Sequence, residues 1–236
     1  MKIAIDGPAG AGKSSVAKEV ARRLGIKYLD TGAMYRALTL KSLKNNVDLN
    51  NESTLIEQAK NSNLQVKYDE EIGNLIFLDG KDITHEIRSS EVNKHVSIVA
   101  KYPEVRKELV NLQRKVAKES GPIVMEGRDI GTNVLFDADY KLFLTADIRE
   151  RAKRRWIEMK SKGIETPFSF EELVEEISNR DRLDSERKDF PLKKASDAIL
   201  IDTTSYSLEE VVKKVINIIK ENEKANKSER TYCHKA

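Results

Sequence analysis

The sequence predicts an α/β fold in which helices cover both faces of a central parallel five-stranded sheet. Three observations carry that prediction. A short apolar run, Ile3-Ala4-Ile5, stands directly before a glycine-rich stretch that leads into residues spaced as a helix. A second run, Ile26–Leu29, follows that helix and closes a βαβ unit, whose strands must then be parallel. Three further strand-like runs, Pro122–Met125, Tyr140–Leu144 and Ala198–Ile201, extend the same sheet. A chain of 236 residues can build one substantial core of this kind and still carry an insertion.

The glycine-rich stretch is Gly7-Pro8-Ala9-Gly10-Ala11-Gly12-Lys13-Ser14, which fills G-x-x-x-x-G-K-[ST] at every fixed position. Val16, Val20, Ala21 and Leu24 mark the helix behind it, and Gly25 stops that helix. Strand, loop and helix together give the pattern a physical meaning. Glycines let backbone N–H groups converge on phosphate oxygens, and the helix adds its unpaired amides and positive dipole end. Lys13 is expected to reach the β- and γ-phosphates, and the Ser14 hydroxyl to ligate Mg²⁺. The fold is therefore expected to be a P-loop three-layer fold that binds a nucleoside triphosphate.

The second strand ends in Asp30-Thr31-Gly32, and Met34, Ala37, Leu38 and Leu43 continue as a helix capped by Asp30 or Thr31. Arg36 falls in its first turns, where an Arg opposes the dipole; it is either used there or simply solvated. From Leu64 to Asp82 the period changes to alternation, with turns at Glu70–Asn74 and Asp79-Gly80, so a small antiparallel sheet is expected as an insertion. Two helical patterns follow, Val92 to Val99 and Val105 to Val116, divided by Tyr102-Pro103. The third core strand ends in Glu126-Gly127-Arg128-Asp129-Ile130-Gly131. Between the fourth and fifth strands lies a charged stretch, Asp147 to Lys194, opened by Asp147-x-x-Glu150 as a helix start and interrupted by Gly163, which would let it move as a lid. The last helix starts at Ser207 with Glu210 as its capping partner and is expected to bury Leu208, Val211, Val215, Ile218 and Ile219. Beyond Asn222 the polar composition suggests disorder.

Bulk properties exclude several classes. A net charge of +3 suits anionic ligands but is too small for a nucleic-acid footprint. Cys233 is the only cysteine, so no intrachain disulfide can form, and a reducing compartment is expected. No apolar run approaches membrane-spanning length, Met1-Lys2 leads straight into a strand with no signal-like run, and the ending Cys233-His234-Lys235-Ala236 is a poor prenylation box. A cytoplasmic monomer, without nucleic-acid or membrane partners, is the expectation. His85, His95 and His234 show no metal-ligand spacing. The guanine-reading N-K-x-D is missing too: Asn93-Lys94-His95-Val96 and Asn226-Lys227-Ser228-Glu229 both lack the Asp.

What remains is arginine. Arg36, Arg128, Arg151, Arg154, Arg155, Arg180 and Arg187 stand at strand ends or in the charged stretch. Phosphoryl transfer asks the protein chiefly to align cations on spread negative charge. An acceptor that is itself a phosphate needs no general base, whereas repulsion between two anions must be overcome, and guanidinium forks do that. Many arginines without an obvious base thus point to phosphorylation of a phosphate.

Four blocks resemble the signatures of bacterial cytidylate kinases: Gly7–Ser15 after Ile5-Asp6, Asp30–Arg36, Glu126–Thr132 and Arg180–Arg187. They run in order over residues 1 to about 222. The resemblance implies transfer from ATP to CMP or dCMP with Mg²⁺. By position it puts Gly7 to Ser15 on ATP, Thr31 and Arg36 at the acceptor nucleotide, and Arg128 with Asp129 at the acceptor site. It puts Ser97 and Arg106 on the cytosine, Arg180, Asp184 and Arg187 on ribose and base, and Arg151 and Arg155 in the lid on ATP phosphates. Asn133-Val134-Leu135-Phe136 departs from a more usual apolar run ending in Pro, and the tail is longer than expected. The expected organisation is a discontinuous core (1–62, 101–149 and 173–224), a nucleoside-monophosphate insertion (63–100), a lid (150–172) and a disordered tail (225–236). Two alternatives stand beside it: a kinase for a small hydroxyl acceptor of the shikimate type, with Asp30 or Asp129 recruited as base, and a non-catalytic nucleotide-binding regulator.

Overall fold

The computed structural model describes residues 1–69, 73–161 and 169–233, with side-chain surroundings through Glu223. The chain runs β1 (Lys2–Asp6), α1 (Lys13–Leu24), β2 (Lys27–Asp30), α2 (Thr31–Lys44), α3 (Glu52–Lys60), β3 (Leu64–Asp69), β4 (Gly73–Leu78), β5 (Lys81–Asp82), α4 (Ser90–Val99), α5 (Pro103–Ser120), β6 (Ile123–Gly127), β7 (Tyr140–Thr145), α6 (Ile148–Ser161), α7 (Phe170–Ser185), β8 (Ile199–Asp202) and α8 (Leu208–Cys233). A 3₁₀ turn, Glu86–Arg88, precedes α4, and a π-helical turn, Ile130–Val134, follows β6.

The five expected core strands form one sheet in the order β2-β6-β1-β7-β8, every pair parallel. The central strands β1 and β6 bury their apolar runs on both faces, as a covered parallel sheet requires, whereas the edge strand β8 leaves Ile199 and Leu200 exposed. Ala4, Leu29, Ile123 and Met125 face a core completed by α2 to α5; Ile3, Ile5, Val124, Leu142, Leu144 and Ile201 face the opposite core, under α1 and α8. Register pairs Asp6 with Gly127 and Asp30 with Glu126, so β1, β2 and β6 end side by side and their loops open at one edge.

The antiparallel sheet β3-β4-β5 is present as expected. Asp79 and Gly80 both have positive φ (51° and 80°), the backbone of a tight hairpin turn between β4 and β5. This sheet is fastened to the core: the Asn74 side chain accepts from the Asp30 amide (2.7 Å) and donates to the Tyr28 carbonyl. Of its other expected turn, Glu70 to Ile72 lie outside the described residues, as does Gly163 in the proposed lid.

Helix α2 begins at Thr31 with Asp30 as its cap, one of the two caps expected, accepting from the Ala33 amide at 3.1 Å. Three features differ from expectation. Helix α3 was not foreseen; it is short, capped by Asn51, and anchored on fully buried Leu55. In α8 the Ser207–Glu210 capping box forms, and Val212 and Ile216 are buried, but Leu208 is 47% exposed, in a first turn whose Glu209 and Glu210 are exposed too. The α8 backbone also stays helical to Cys233, through the stretch for which composition suggests disorder; its Glu, Lys and Ala residues are good helix formers.

Candidate active site

Between β1 and α1 the loop Gly7–Gly12 turns through three glycines of positive φ, Gly7, Gly10 and Gly12. At Gly7 a Cβ would lie 2.0 Å from the Leu144 carbonyl oxygen, so only glycine lets the loop pass. Gly12, with φ +84°, is the N-cap of α1, and the first turn of α1 contains no acidic residue to cancel its positive end. Lys13 is buried, and its Nζ donates to the Pro8 carbonyl at 2.8 Å. Burial, then the nearby Arg128, pushes this ammonium down from 10.5 to about 7, against the pull of Glu126 and Asp6. Ser14 donates to Glu126 Oε1 at 2.6 Å. Burial and neighbouring Asp30 raise the Glu126 carboxyl, with Lys13 and Ser14 opposing. Ser15 stands exposed one residue on.

Across the ends of β2 and β6 the expected acceptor residues come together. Thr31 Oγ1 donates to the Glu126 carbonyl (2.8 Å), joining the start of α2 to β6. Arg36 pairs with Asp30 at 2.6 Å. Arg128 Nε donates to Asp184 Oδ2 at 2.9 Å, and Arg187 holds the other oxygen of the same carboxylate. Burial opposes ionisation of Asp184, but Arg128, Arg187 and Arg180 outweigh it and keep the carboxyl below its ordinary 3.8. The Arg180 Nε is shielded from solvent and has no hydrogen-bond partner among the described residues. Burial and then Arg128 push Arg180 down to about 10, with Arg36 and Arg155 adding to the repulsion.

The second cluster lies deeper. Arg106, 3% exposed, donates to Asp129 Oδ1 (2.6 Å) and to the Ala100 carbonyl (3.3 Å). Its guanidinium lies over the rings of Tyr35 and Phe190, 5.0 and 5.4 Å from their centroids. Ser97 is half-buried in α4, one turn before Ala100.

On the loop's other side, α6 packs directly on the cradle: a Cβ on Gly10 would meet the Arg151 Cβ and carbonyl oxygen at 3.0 Å. Arg151 donates to the Ala9 carbonyl (3.0 Å), the Ala146 carbonyl (2.9 Å) and Asp181. Asp181 in turn accepts from the Ala9 amide at 3.2 Å. Arg154 reaches Glu150 and Thr203, with its Nη1 near Gly12; Arg155 points outward to Glu158. Sequence reasoning missed Asp6, Glu126 and Asp181 as site residues. A signal existed for the first two, since each is a carboxylate at the carboxyl end of a parallel strand, where α/β sheets bind ligands.

The sequence model of the family described as "Cytidylate kinase" matches residues 3–221. The cytidylate kinase of Alkaliphilus oremlandii is 56% identical over 220 residues, covering 93% of this chain and 98% of that one. That of Caldanaerobacter subterraneus subsp. tengcongensis is 52% identical over 224 residues (95% and 96%), and that of a Geobacillus strain 53% over 221 (94% and 97%). Among solved structures, a shikimate kinase from Bacteroides thetaiotaomicron aligns with a TM-score of 0.49 at 13% identity over 93% of this chain and 98% of that one, too distant to bear on the reaction. Matched along nearly its whole length by family and relatives alike, this chain belongs to the cytidylate kinase family.

Proposed function

We propose that this chain transfers the γ-phosphoryl group of ATP to the phosphate of CMP and dCMP, giving ADP with CDP or dCDP. The observation that carries the reading is the cluster of Arg36, Arg128, Arg180 and Arg187 beside Lys13, three of them held by carboxylates and two, Arg36 and Arg180, with a buried Nε that has no partner among the described residues. An acceptor phosphate is already an anion, so the site needs no base; it needs cations that let two anions approach in line. In this arrangement Asp30 and Asp184 hold the guanidinium groups in place until phosphate oxygens take them over. Charge-assisted, bidentate contacts then bind the acceptor and the transferring group together.

Cytosine fits the deeper cluster. Its N4 amino group donates and its O2 and N3 accept, which suits Asp129 and Arg106, with Ser97 at hand. Uracil reverses the pattern at positions 3 and 4 and would place an oxygen against Asp129. Thr31 sits where the acceptor's sugar and phosphate meet α2. Gly7 to Ser15 receive the ATP phosphates, with Arg151 and Arg155 from the lid side. Ser14 and Glu126 are hard oxygen donors at the loop's end, and no group of three metal-binding side chains exists among the described residues. That fits Mg²⁺, which is held largely by phosphates and water. When bound it would neutralise charge on the β- and γ-oxygens.

The insertion (63–100) and lid (150–172) are taken to close over both nucleotides and exclude water. A hydroxyl acceptor is not favoured, because Asp30 and Asp129, the carboxylates it would recruit, are both committed to arginines. No helix among the described residues is long and apolar enough to cross a membrane, and a cytoplasmic monomer remains our reading. A coupled assay of ADP release with CMP, dCMP, UMP, AMP and shikimate tests the assignment. CMP and dCMP should be the preferred acceptors. Turnover of shikimate without CMP, or tight ATP binding with no transfer, overturns it.

A further inference from the structure

One buried carboxylate touches neither of the nucleotide-facing clusters and lies between them. Asp6 is the last residue of β1, directly before Gly7, and is 3% exposed. Its Oδ1 accepts from the Ile130 amide and its Oδ2 from the Gly131 amide, both at 2.7 Å. Those amides open the π-helical turn, and the residue just before it is Asp129, partner of Arg106. The turn closes back on Asp129, whose carbonyl accepts from Asn133 at 2.9 Å. Side chain and backbone of Asp129 are thus set by the same short segment that Asp6 grips.

Burying a carboxylate is costly, and an apolar residue would end a strand at less expense. Asp supplies two acceptors on one carbon, which matches two successive amides and which neither Asn nor Ser can do. The partner segment is equally constrained: a Cβ on Gly131 would lie 3.3 Å from Asp6 Oδ2. Burial pushes the Asp6 carboxyl up to about 7 against its two amide donors, and both Asp129 and Lys13 act on it, one raising and one lowering. Donor and acceptor clusters therefore meet at this residue.

We infer that Asp6 is a positioning residue that ties the phosphate cradle to the turn bearing Asp129 and so fixes the base-reading pair Asp129–Arg106 relative to the donor site. The inference rests on the proposed reading of cytosine by that pair. Its test compares Asp6→Asn and Gly131→Ala with the unaltered enzyme, and repeats Asp6→Asn in an Asp129→Ala background. Asp6→Asn puts an NH₂ against an amide N–H; Gly131→Ala crowds the same contact by a few tenths of an ångström and serves if the first variant does not fold.

The KM for CMP should rise roughly 10-fold, with the KM for ATP within about twofold, and the preference for CMP over UMP should fall in step. Once Asp129 is Ala, Asp6→Asn should change the KM for CMP by less than about twofold, because the group it positions is gone. Equal rises for both substrates, or an effect that persists without Asp129, would overturn the inference and leave Asp6 a structural residue. Failure of the unaltered enzyme to use CMP would instead overturn the functional reading, so the two failures are told apart.

Discussion

Lys13 shows how a single residue stores the demand for a ligand. Its ammonium is buried near Arg128 and falls to about 7 in the folded protein, against 10.5 for an ordinary lysine. Between those values the unfolded chain keeps a proton that the folded chain has lost, so this group makes stability rise with pH across that window. On the proposed reading, a triphosphate bound beside Lys13 should reverse the balance and restore the proton. Binding of a non-hydrolysable ATP analogue at pH 8 should therefore take up protons, visible as binding heats that differ between buffers of unequal ionisation enthalpy. Identical heats would contradict the assignment. Lys13→Ala should remove that uptake and lower kcat roughly 10²- to 10³-fold or more, the scale of losing a donor to developing charge. At Asp129 the expectation concerns choice: Asp129→Ala should reduce selection of CMP over UMP by roughly 10- to 100-fold, since a matched pair discriminates by about 1–3 kcal/mol. It should also lower Tm, because Arg106 is left buried without its partner. Equal losses for CMP and UMP would assign Asp129 to holding structure.

At the scale of elements, α6 and α7 contact the loop that, on the proposed reading, receives the donor nucleotide. Ala152 of α6 packs on Leu173 and Ile177 of α7, with Trp156 edge-on to Phe170 at 6.1 Å, so the two helices carry Arg151 and Asp181 as one unit. Asp181 occupies the Ala9 amide, a donor that a phosphate would otherwise use, and holds Arg151 beside it. Asp181→Asn keeps the size and removes an anion, so the same ATP analogue should bind severalfold tighter by calorimetry. Weaker binding would mean that Asp181 is needed to shape the loop. Elements were legible where local chemistry is decisive: Gly12 before α1, Pro103 at the start of α5 and Asp79-Gly80 in the hairpin each have one conformational reason to be there. Helix α3 was not legible, because its buried face is short and mixed, Leu55 and the polar Gln58 with only Ile56 and Ala59 partly buried beside them. Nor was the exposure of Leu208, whose apolar spacing fits the buried face but which stands in an exposed first turn.

Over the whole molecule, the organising feature is a set of arginine–carboxylate pairs gathered at the carboxyl ends of β1, β2 and β6. The motifs named the arginines, but the partners lie 6, 23, 30 and 56 residues away, in Arg36–Asp30, Arg106–Asp129, Arg151–Asp181 and Arg128–Asp184. Arg36–Asp30 is local to the start of α2, but Arg151–Asp181 needs α6 packed on α7, and Arg128 and Asp129 at the end of β6 meet α7 and α5; no spacing in the sequence encodes those meetings. For the same reason Asp6 and Glu126 read as ordinary strand ends until register placed them against Ile130 and Ser14. On the proposed reading, Arg36–Asp30 and Arg128–Asp184 stand in for substrate contacts and exchange when phosphate arrives. A crystal structure with CMP and a non-hydrolysable ATP analogue measures that exchange directly. Arg36 and Arg128 should leave Asp30 and Asp184 for the CMP phosphate, with the cytosine N4 on Asp129. CMP bound with both ion pairs intact and its phosphate in solvent would contradict it.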